Sequence, residues 1–393
     1  MTASALDPLA PAYAATGAPR RPSTRIDSID LVRGIAMILM ALDHVRVYSG
    51  VPAGGPSPGV FFTRWITHFV APAFVFLAGT SAYLHGRKMP SRAALSKFLL
   101  TRGAFLVLLE LTVIRVAWTF NFDFGSYMLA GVIWMLGICM MLMAAIIYVP
   151  LRAIGAIGIA IIALHNIADF LPHPENPSPL LAILYAGGVA IPPLIVLYVI
   201  VPWIGVMMAG YAFGAVMELP VERRRAICLR LGIAMTLLFV VLRAINLYGD
   251  PRPWNHARGL LGFLNTTKYP ASLEYLLMTL GPMLILLALA EGWRGRAARV
   301  ATTYGRVPMF YYLLHIPLIH SAACIVSLIR EGRVDPWLFG NLPVDPSPLP
   351  PGYMWSLGLL YLVFFICVAA LYFPVRWYAG VRAAKRSAWL SYI

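Results

Sequence analysis

Ten apolar segments fill most of this 393-residue chain, and each is long enough to cross a membrane as a helix. They span about 29–49, 60–84, 95–118, 127–149, 151–170, 192–217, 226–247, 272–291, 305–329 and 353–374. A bilayer core takes about 20 helical residues to cross. Only 12% of the residues are charged and 60% are hydrophobic, whereas soluble domains carry about 25% charge. The sequence therefore predicts an all-α polytopic membrane bundle and excludes a soluble globular protein.

Lysine and arginine are distributed unequally between the segments that connect these helices. If the N-terminus is cytoplasmic, 20 of the 31 basic residues lie on the inner side and five on the outer side. Cytoplasmic loops carry such an excess, so we expect ten spans with both termini inside. The predicted organisation is a disordered tail over 1–27, a transmembrane domain over 28–376 and a cytoplasmic tail over 377–393. The net charge of +15 then reflects inner loops, and we expect no nucleic-acid partner.

Cysteine and histidine spacing gives no sign of a metal site. The four cysteines all lie in apolar segments without paired spacing, which also argues against a disulfide framework. His315 and His320 are five residues apart, so they point about 140° apart on a helix. No carboxylate lies between them. We therefore predict that the chain holds no metal.

The first predicted helix carries five ionisable residues: Asp30, Arg33, Asp43, His44 and Arg46. Each costs about 2.5–3.5 kcal/mol inside a bilayer, so such residues usually face the bundle interior and have a function. Arg33 and His44 are eleven residues apart, which places them on one face about 16 Å apart. They could line a substrate channel. The alternative is that Arg33 reaches the membrane surface and His44 only binds a carbonyl.

A second imidazole, His68, lies in the upper part of the second predicted helix. Because the first two helices run antiparallel, His44 and His68 fall at a similar depth, about 10 Å below the outer surface. Asp43 lies next to His44 and could orient either imidazole. Pro72 should bend the second helix just below His68. Two imidazoles at one depth favour a reaction centre over two unrelated core histidines.

Further polar residues lie towards the outer side of the predicted bundle. Arg115 ends the third helix, Lys268 precedes the eighth, and His315 lies within the ninth. Some of the outer polar residues, such as His165 and Asp169, should only anchor helix ends at the membrane surface. We predict that Arg33, Arg115, Lys268 and His315 line a path for the substrate.

The first two helices resemble the catalytic region of heparan-alpha-glucosaminide N-acetyltransferase and its bacterial relatives. The matching residues are Asp30, Arg33 and Gly34, the step to His44, and then Pro72, Phe74, Phe76, Gly79 and Ser81. The Arg33-to-His44 spacing is also similar to the Arg-x10-His signature of acyltransferase-3 membrane proteins. The stretch Ser57–Gly59 lacks the imidazole that the lysosomal enzyme has before its second helix. His44 is therefore the first candidate for the catalytic base and His68 the second.

This resemblance implies an acyltransferase of a bacterial inner membrane. It would move an acyl group, most simply acetyl, from cytoplasmic acyl-CoA to a sugar or other acceptor on the outer side. Acyl-CoA would be a co-substrate, with no permanently bound cofactor. The inner arginines 223–225, 294, 296 and 299 could bind CoA phosphates, or they could serve orientation alone. Lys268 or Arg115 could stabilise the oxyanion. A homodimer is left open.

The competing hypothesis is a transporter or flippase without covalent chemistry, in which the same charged residues form a gated path. The two halves of the chain show no convincing inverted repeat. An acyltransferase should have a cleft that rises from the inner face to His44 and His68. A transporter should have a central site between two half-bundles.

Overall fold

The computed structural model describes residues 26–384 except Pro56, His173 and Asp345. The predicted N-terminal tail therefore lies almost wholly outside the described residues, as do 385–393. Within these described residues, eleven main helices form the bundle. They are α1 Asp27–Tyr48, α2 Pro58–Gly86, α3 Arg92–Leu109 with its continuation to Thr119, α4 Val132–Ile146, α5 Leu151–Phe170, α6 Val201–Glu218, α7 Val221–Ile245, α8 Leu273–Ala290, α9 Arg296–Arg306, α10 Pro308–Glu331 and α11 Leu357–Ala384.

Seven of the described helices are long and apolar enough to cross a membrane: α2, α5, α6, α7, α8, α10 and α11. The apolar α4 is shorter, and α1 and α3 carry more charge. The chain is therefore an all-α, multi-pass membrane protein, as predicted. The count of ten spans and the cytoplasmic position of both termini stay predictions. We call the end of the bundle where α1 begins the inner face.

Helix α1 lies in the centre of the bundle and packs against α2, α8, α9, α10 and α11. Its closest neighbour is α9, because glycines replace side chains at the crossing. A Cβ added to Gly34 would lie 1.7 Å from the Ala301 carbonyl oxygen, and one added to Gly305 would lie 1.7 Å from that of Asp30. Small residues let membrane helices approach this closely. The α1–α9 contact fixes the position of Arg33 next to α9.

The described residues include three short strands; the first and third lie inside segments that were predicted to be helical, and the second lies just before the span predicted to begin at 192. They are β1 Met128–Ala130, β2 Gly188–Ile191 and β3 Leu194–Val196. The sheet order is β1-β3-β2, with β1 parallel and β2 antiparallel to β3. The spans predicted to begin at 127 and 192 therefore begin later, at Val132 and Val201. Apolar run length does not separate a strand in the outer cap from the first turn of a helix.

Two differences concern the inner face. Helix α9 was not predicted, because its eleven residues include three arginines and lack a long apolar run. Helix α11 continues to Ala384, so it passes the predicted domain boundary at 376. The first eight residues of the predicted C-terminal tail are helical, and Arg382 among them lines a cavity described below.

The outer loops form an ordered cap in the described part of the chain. Arg243 at the end of α7 donates hydrogen bonds to Glu274 on α8 and to the backbone carbonyls of Gly262, Phe263 and Asn265. The hydroxyl of Tyr353, in the loop after α10, donates to the Tyr48 carbonyl at the end of α1. The Tyr353–Tyr48 contact lies about one helical turn beyond His44 on α1.

Candidate active site

His44 on α1 and His315 on α10 form a hydrogen-bonded pair inside the bundle. Nδ1 of His44 lies 2.7 Å from Nε2 of His315, and Nδ1 of His315 lies 2.7 Å from the Tyr312 carbonyl oxygen. A carbonyl only accepts, so in the neutral ring Nδ1 of His315 carries the proton and Nε2 accepts. His44 must then donate from Nδ1. Nε2 of His44 is left with its lone pair, and no described residue binds it.

Aromatic rings enclose this pair. Trp118 from the end of α3 meets the His44 ring edge-on at 4.7 Å between centroids. Tyr311 stacks on His315 at 5.2 Å. His315 is fully buried, whereas His44 is only partly buried. The rings hold both imidazoles in place and leave His44 as the accessible member of the pair.

Asp43 does not orient either histidine, which corrects the sequence-based expectation. Its Oδ1 accepts from Nε of Arg46 at 3.0 Å, and its Oδ2 accepts from Arg64 of α2 at 3.2 Å. Arg64 also donates to Thr67 at 2.9 Å. An aspartate between two guanidinium groups is a stable ionic link between α1 and α2. Asp43 therefore positions its helix and not an imidazole.

Lys268 lies in the same layer as Asp43, just before α8. Its ammonium nitrogen is 5.2 Å from the Tyr269 ring centre and 5.8 Å from that of Tyr198. Burial lowers the pKa of Lys268 and nearby Arg64 lowers it further, while Tyr269 and Asp43 raise it. The sequence predicted Lys268 towards the outer side, and in the structure it lies near Asp43 and Arg64.

His68 lies in a 3-10 turn, Ile66–Phe69, within α2. Pro72 has no N–H to bond the carbonyl four residues before it, and the Tyr275 hydroxyl donates to the His68 carbonyl instead, at 2.7 Å. The His68 ring is buried, and its Nδ1 has no partner among the described residues. No hydrogen bond joins His68 to His44 in the described part of the chain. His68 is held through its backbone carbonyl, and its ring meets the Tyr275 ring edge-on at 5.5 Å between centroids.

A cavity of about 310 Å³ opens towards the inner face. Basic residues line its lower part: Arg33, His85, Arg102, Arg306 and Arg382. Its upper part is lined by Met37, Phe74, Ile133 and Tyr312 among others. Arg33 donates to Ser81 at 2.7 Å and to the Gly305 carbonyl at 3.3 Å. The cavity thus runs from a cationic mouth to Tyr312, whose carbonyl holds His315.

Of the four residues predicted to line a substrate path, Arg33 lines this cavity, whereas Lys268 and His315 do not. Arg115 does not line it either. It is buried at the outer end of α3 and donates to the Tyr127 carbonyl, the Thr119 hydroxyl, Asn121 and the Asp123 carbonyl. Arg115 therefore holds the loop that leads from α3 to β1. The inner arginines 223–225 do not line this cavity either. Arg224 donates two hydrogen bonds of 2.7 Å to the carboxylate of Glu291.

The family model described as heparan-alpha-glucosaminide N-acetyltransferase, catalytic, matches residues 25–245, which is more than half of the chain. The chain belongs to this family. A comparison with curated proteins found no match. The protein is therefore a member of a membrane acetyltransferase family, as the motifs around Arg33 and Pro72 predicted.

The residues of the candidate site lie partly inside and partly outside the matched region, 25–245. Arg33, Asp43, His44 and His68 lie inside the matched region of the acetyltransferase family, whereas His315 lies outside it. Lys268, Arg306 and Arg382 also lie beyond residue 245. The C-terminal part of the chain therefore contributes the partner of His44 and two arginines of the cavity mouth.

Sequence analysis missed Glu110, which lies above the cavity. A π-helical turn, Glu110–Ile114, interrupts α3 at this point. The buried carboxylate accepts from the backbone N–H of Ile133, in the first turn of α4, at 3.0 Å. A carboxylate at a helix N-terminus is favourable. The signal was a single acidic residue in the apolar stretch 105–114, since any ionisable residue in a span is a candidate functional residue.

Proposed function

We propose that this protein transfers an acetyl group from cytoplasmic acetyl-CoA to a carbohydrate or related acceptor on the outer side of a bacterial inner membrane. The observation that carries the proposal is the cavity that rises from an arginine-lined mouth towards the His44–His315 pair. Acetyl-CoA that enters from the inner face would then meet the base, His44, which lies nearer the outer face. Membership of the acetyltransferase family supports the reaction class.

The mouth of the cavity suits the charged part of CoA. Arg33, Arg102, Arg306 and Arg382 bring four guanidinium groups to one opening. Guanidinium groups bind phosphate oxygens in a bidentate manner, with charge assistance. The upper lining of Met37, Phe74 and Ile133 is apolar, which suits the less polar arm that carries the thioester. The donor would therefore enter with its phosphates inside and its acyl group pointing up.

Met40 lies between the top of the cavity and the base. Met37, Met40 and His44 share one face of α1, and Met37 is about 10 Å below His44. Met40 is buried, and methionine is a flexible side chain that adapts to irregular space. We assign Met40 as the side chain that moves aside when the thioester rises to His44.

The chemistry follows from the tautomer of His44. Its Nε2 takes the proton from the attacking hydroxyl or amine of the acceptor. The acceptor atom forms a bond to the acetyl carbon, and the carbon–sulfur bond breaks. The proton then passes from His44 to the departing CoA thiolate. Lys268, in the same outer layer, would stabilise the negative charge that develops on the acetyl oxygen.

The first experiment needs no knowledge of the acceptor. Purified protein in detergent is given acetyl-CoA and longer acyl-CoAs, and both binding and the slow release of free CoA thiol are followed. Wild type is compared with His44→Ala, His68→Ala and His256→Ala, the last being an exposed loop histidine. General-base removal costs on the order of 100-fold or more. We expect that loss for His44→Ala with unchanged acetyl-CoA binding, and no loss for His256→Ala.

Two outcomes would contradict this assignment. Absence of both acyl-CoA binding and CoA release at every chain length would refute the acyltransferase and favour the transporter. If His68→Ala abolishes release while His44→Ala does not, His68 is the base.

A further inference from the structure

A second cavity, separate from the one described above, lies on the inner face between α9 and α11. It measures about 470 Å³. Its lining consists of Arg296, Arg299, Val300 and Thr303 from α9 and of Tyr372 and Arg376 from α11. It shares no lining residue with the cavity that reaches Tyr312. We call it the α9–α11 groove.

The groove carries a positive charge that the described part of the chain does not neutralise. No Asp or Glu oxygen among the described residues lies within ion-pair distance of Arg296, Arg299 or Arg376. The nearby acidic residue Glu291 is already held by Arg224. Three exposed guanidinium groups at one groove favour an anion with several oxygens.

The groove is continuous with the surface that faces the lipid. Phe373 and Trp377 next to it are 72% and 65% exposed. Towards the membrane centre, α11 exposes Leu362, Phe365 and Ile366. Arg376 and Leu362 are separated by about 21 Å along the helix, which is comparable to an extended acyl chain. A molecule with an anionic head and apolar chains would therefore be contacted over its whole length.

We infer that the α9–α11 groove binds the phosphodiester of an anionic phospholipid from the inner leaflet. Arg296, Arg299 and Arg376 contact the phosphate and the head group, while the acyl chains lie on the exposed apolar face of α11. Basic pockets between membrane helices on the cytoplasmic side are suited to such head groups. Zwitterionic lipids are bound less tightly, because nothing in the lining offers a carboxylate for an ammonium group.

The test measures lipid selectivity in the full-length protein. Wild type is reconstituted in nanodiscs of phosphatidylcholine with or without phosphatidylglycerol, and retained lipid is counted by native mass spectrometry after transfer to detergent. Arg299→Gln/Arg376→Gln removes two groove charges. Arg223→Gln/Arg225→Gln removes two exposed inner charges outside the groove. Each basic residue near an anionic surface is worth about fivefold in affinity, so we expect the groove variant to lose about tenfold or more in phosphatidylglycerol retention. The control should lose less than twofold.

Three outcomes would overturn the inference. Equal losses in both double variants would mean that the overall charge of the inner face attracts the lipid and that the groove is not a specific binding site. Retention of phosphatidylcholine equal to that of phosphatidylglycerol in wild type would exclude an anion-selective groove. Protection of wild type against heat by inorganic phosphate or CoA, lost in the groove variant, would assign the groove to a soluble phosphate. If the double variant is not monodisperse, the single Arg376→Gln replaces it, with an expected loss of about fivefold.

Discussion

At the scale of the residue, the role of His44 depends on which ring nitrogen carries its proton, and α10 decides this. Nδ1 of His315 donates a hydrogen bond to the Tyr312 carbonyl, and Nε2 of His315 in turn accepts one from Nδ1 of His44. Nothing in the sequence around His44 contains this information, because its partner is 271 residues away. His315 is thus a positioning residue of the proposed reaction, and His44 the residue that contacts substrate.

This arrangement predicts different results for two substitutions of His315. His315→Leu removes the acceptor for His44, so we expect kcat to fall on the order of 10- to 100-fold with the KM for acetyl-CoA unchanged. His315→Gln places an amide oxygen where Nε2 lies, and it should restore most of the lost rate. Steady-state kinetics with both variants make the measurement. Equal activity of the two variants, or a change confined to KM, would contradict a positioning role.

At the scale of the element, the α1–α9 crossing sets the width of the cavity mouth. Gly34 and Gly305 bring the two backbones into contact, and this contact allows Arg33 to donate to the Gly305 carbonyl. Arg306, the next residue of α9, lines the same mouth. A helix that the sequence did not predict therefore determines where two of the four mouth arginines lie.

Substitution of Gly34 by alanine should separate these helices. The added Cβ would overlap the Ala301 carbonyl oxygen, which is backbone and cannot turn aside. We expect a loss of stability of about 1–3 kcal/mol and weaker acetyl-CoA binding, measured by thermal unfolding and by titration. Gly380→Ala is the matched control, since a Cβ at Gly380 in α11 meets no atom within 4 Å. Comparable losses in both variants would show that the crossing is not the cause.

At the scale of the whole molecule, the proposed reaction requires a defined orientation. The donor enters at the inner face and the acceptor is met near the outer cap, so the cavity mouth must face the cytoplasm. The excess of basic residues at that face predicts this orientation. The same orientation places the α9–α11 groove in the inner leaflet.

Cysteine labelling in intact cells tests this orientation. In a chain without its four natural cysteines, Asn176→Cys in the outer cap should react with a membrane-impermeant maleimide. Lys88→Cys, after α2 at the inner face, should react only after the cells are permeabilised. Both positions are exposed. The reverse labelling pattern would invert the topology and exclude a cytoplasmic donor at this mouth.

Several features of the molecule could be predicted from the sequence alone. Apolar run length predicted helices at all ten positions, because burying backbone polar groups in lipid requires internal hydrogen bonding over about 20 residues. Ionisable residues in α1 predicted that this helix lies inside the bundle, because their cost in lipid is high, and α1 packs against five other helices. The motif from Arg33 to Ser81 indicated the family that the comparison found.

Other features depended on the tertiary structure. His44 pairs with His315, Asp43 binds Arg64, and Arg115 binds the Tyr127 carbonyl. Each of these contacts joins groups on different helices or loops. Spacing along one helix determines which residues share a face, but it does not determine which neighbour that face meets. Helix packing decides that, because an imidazole or a guanidinium binds whichever acceptor lies within about 3 Å.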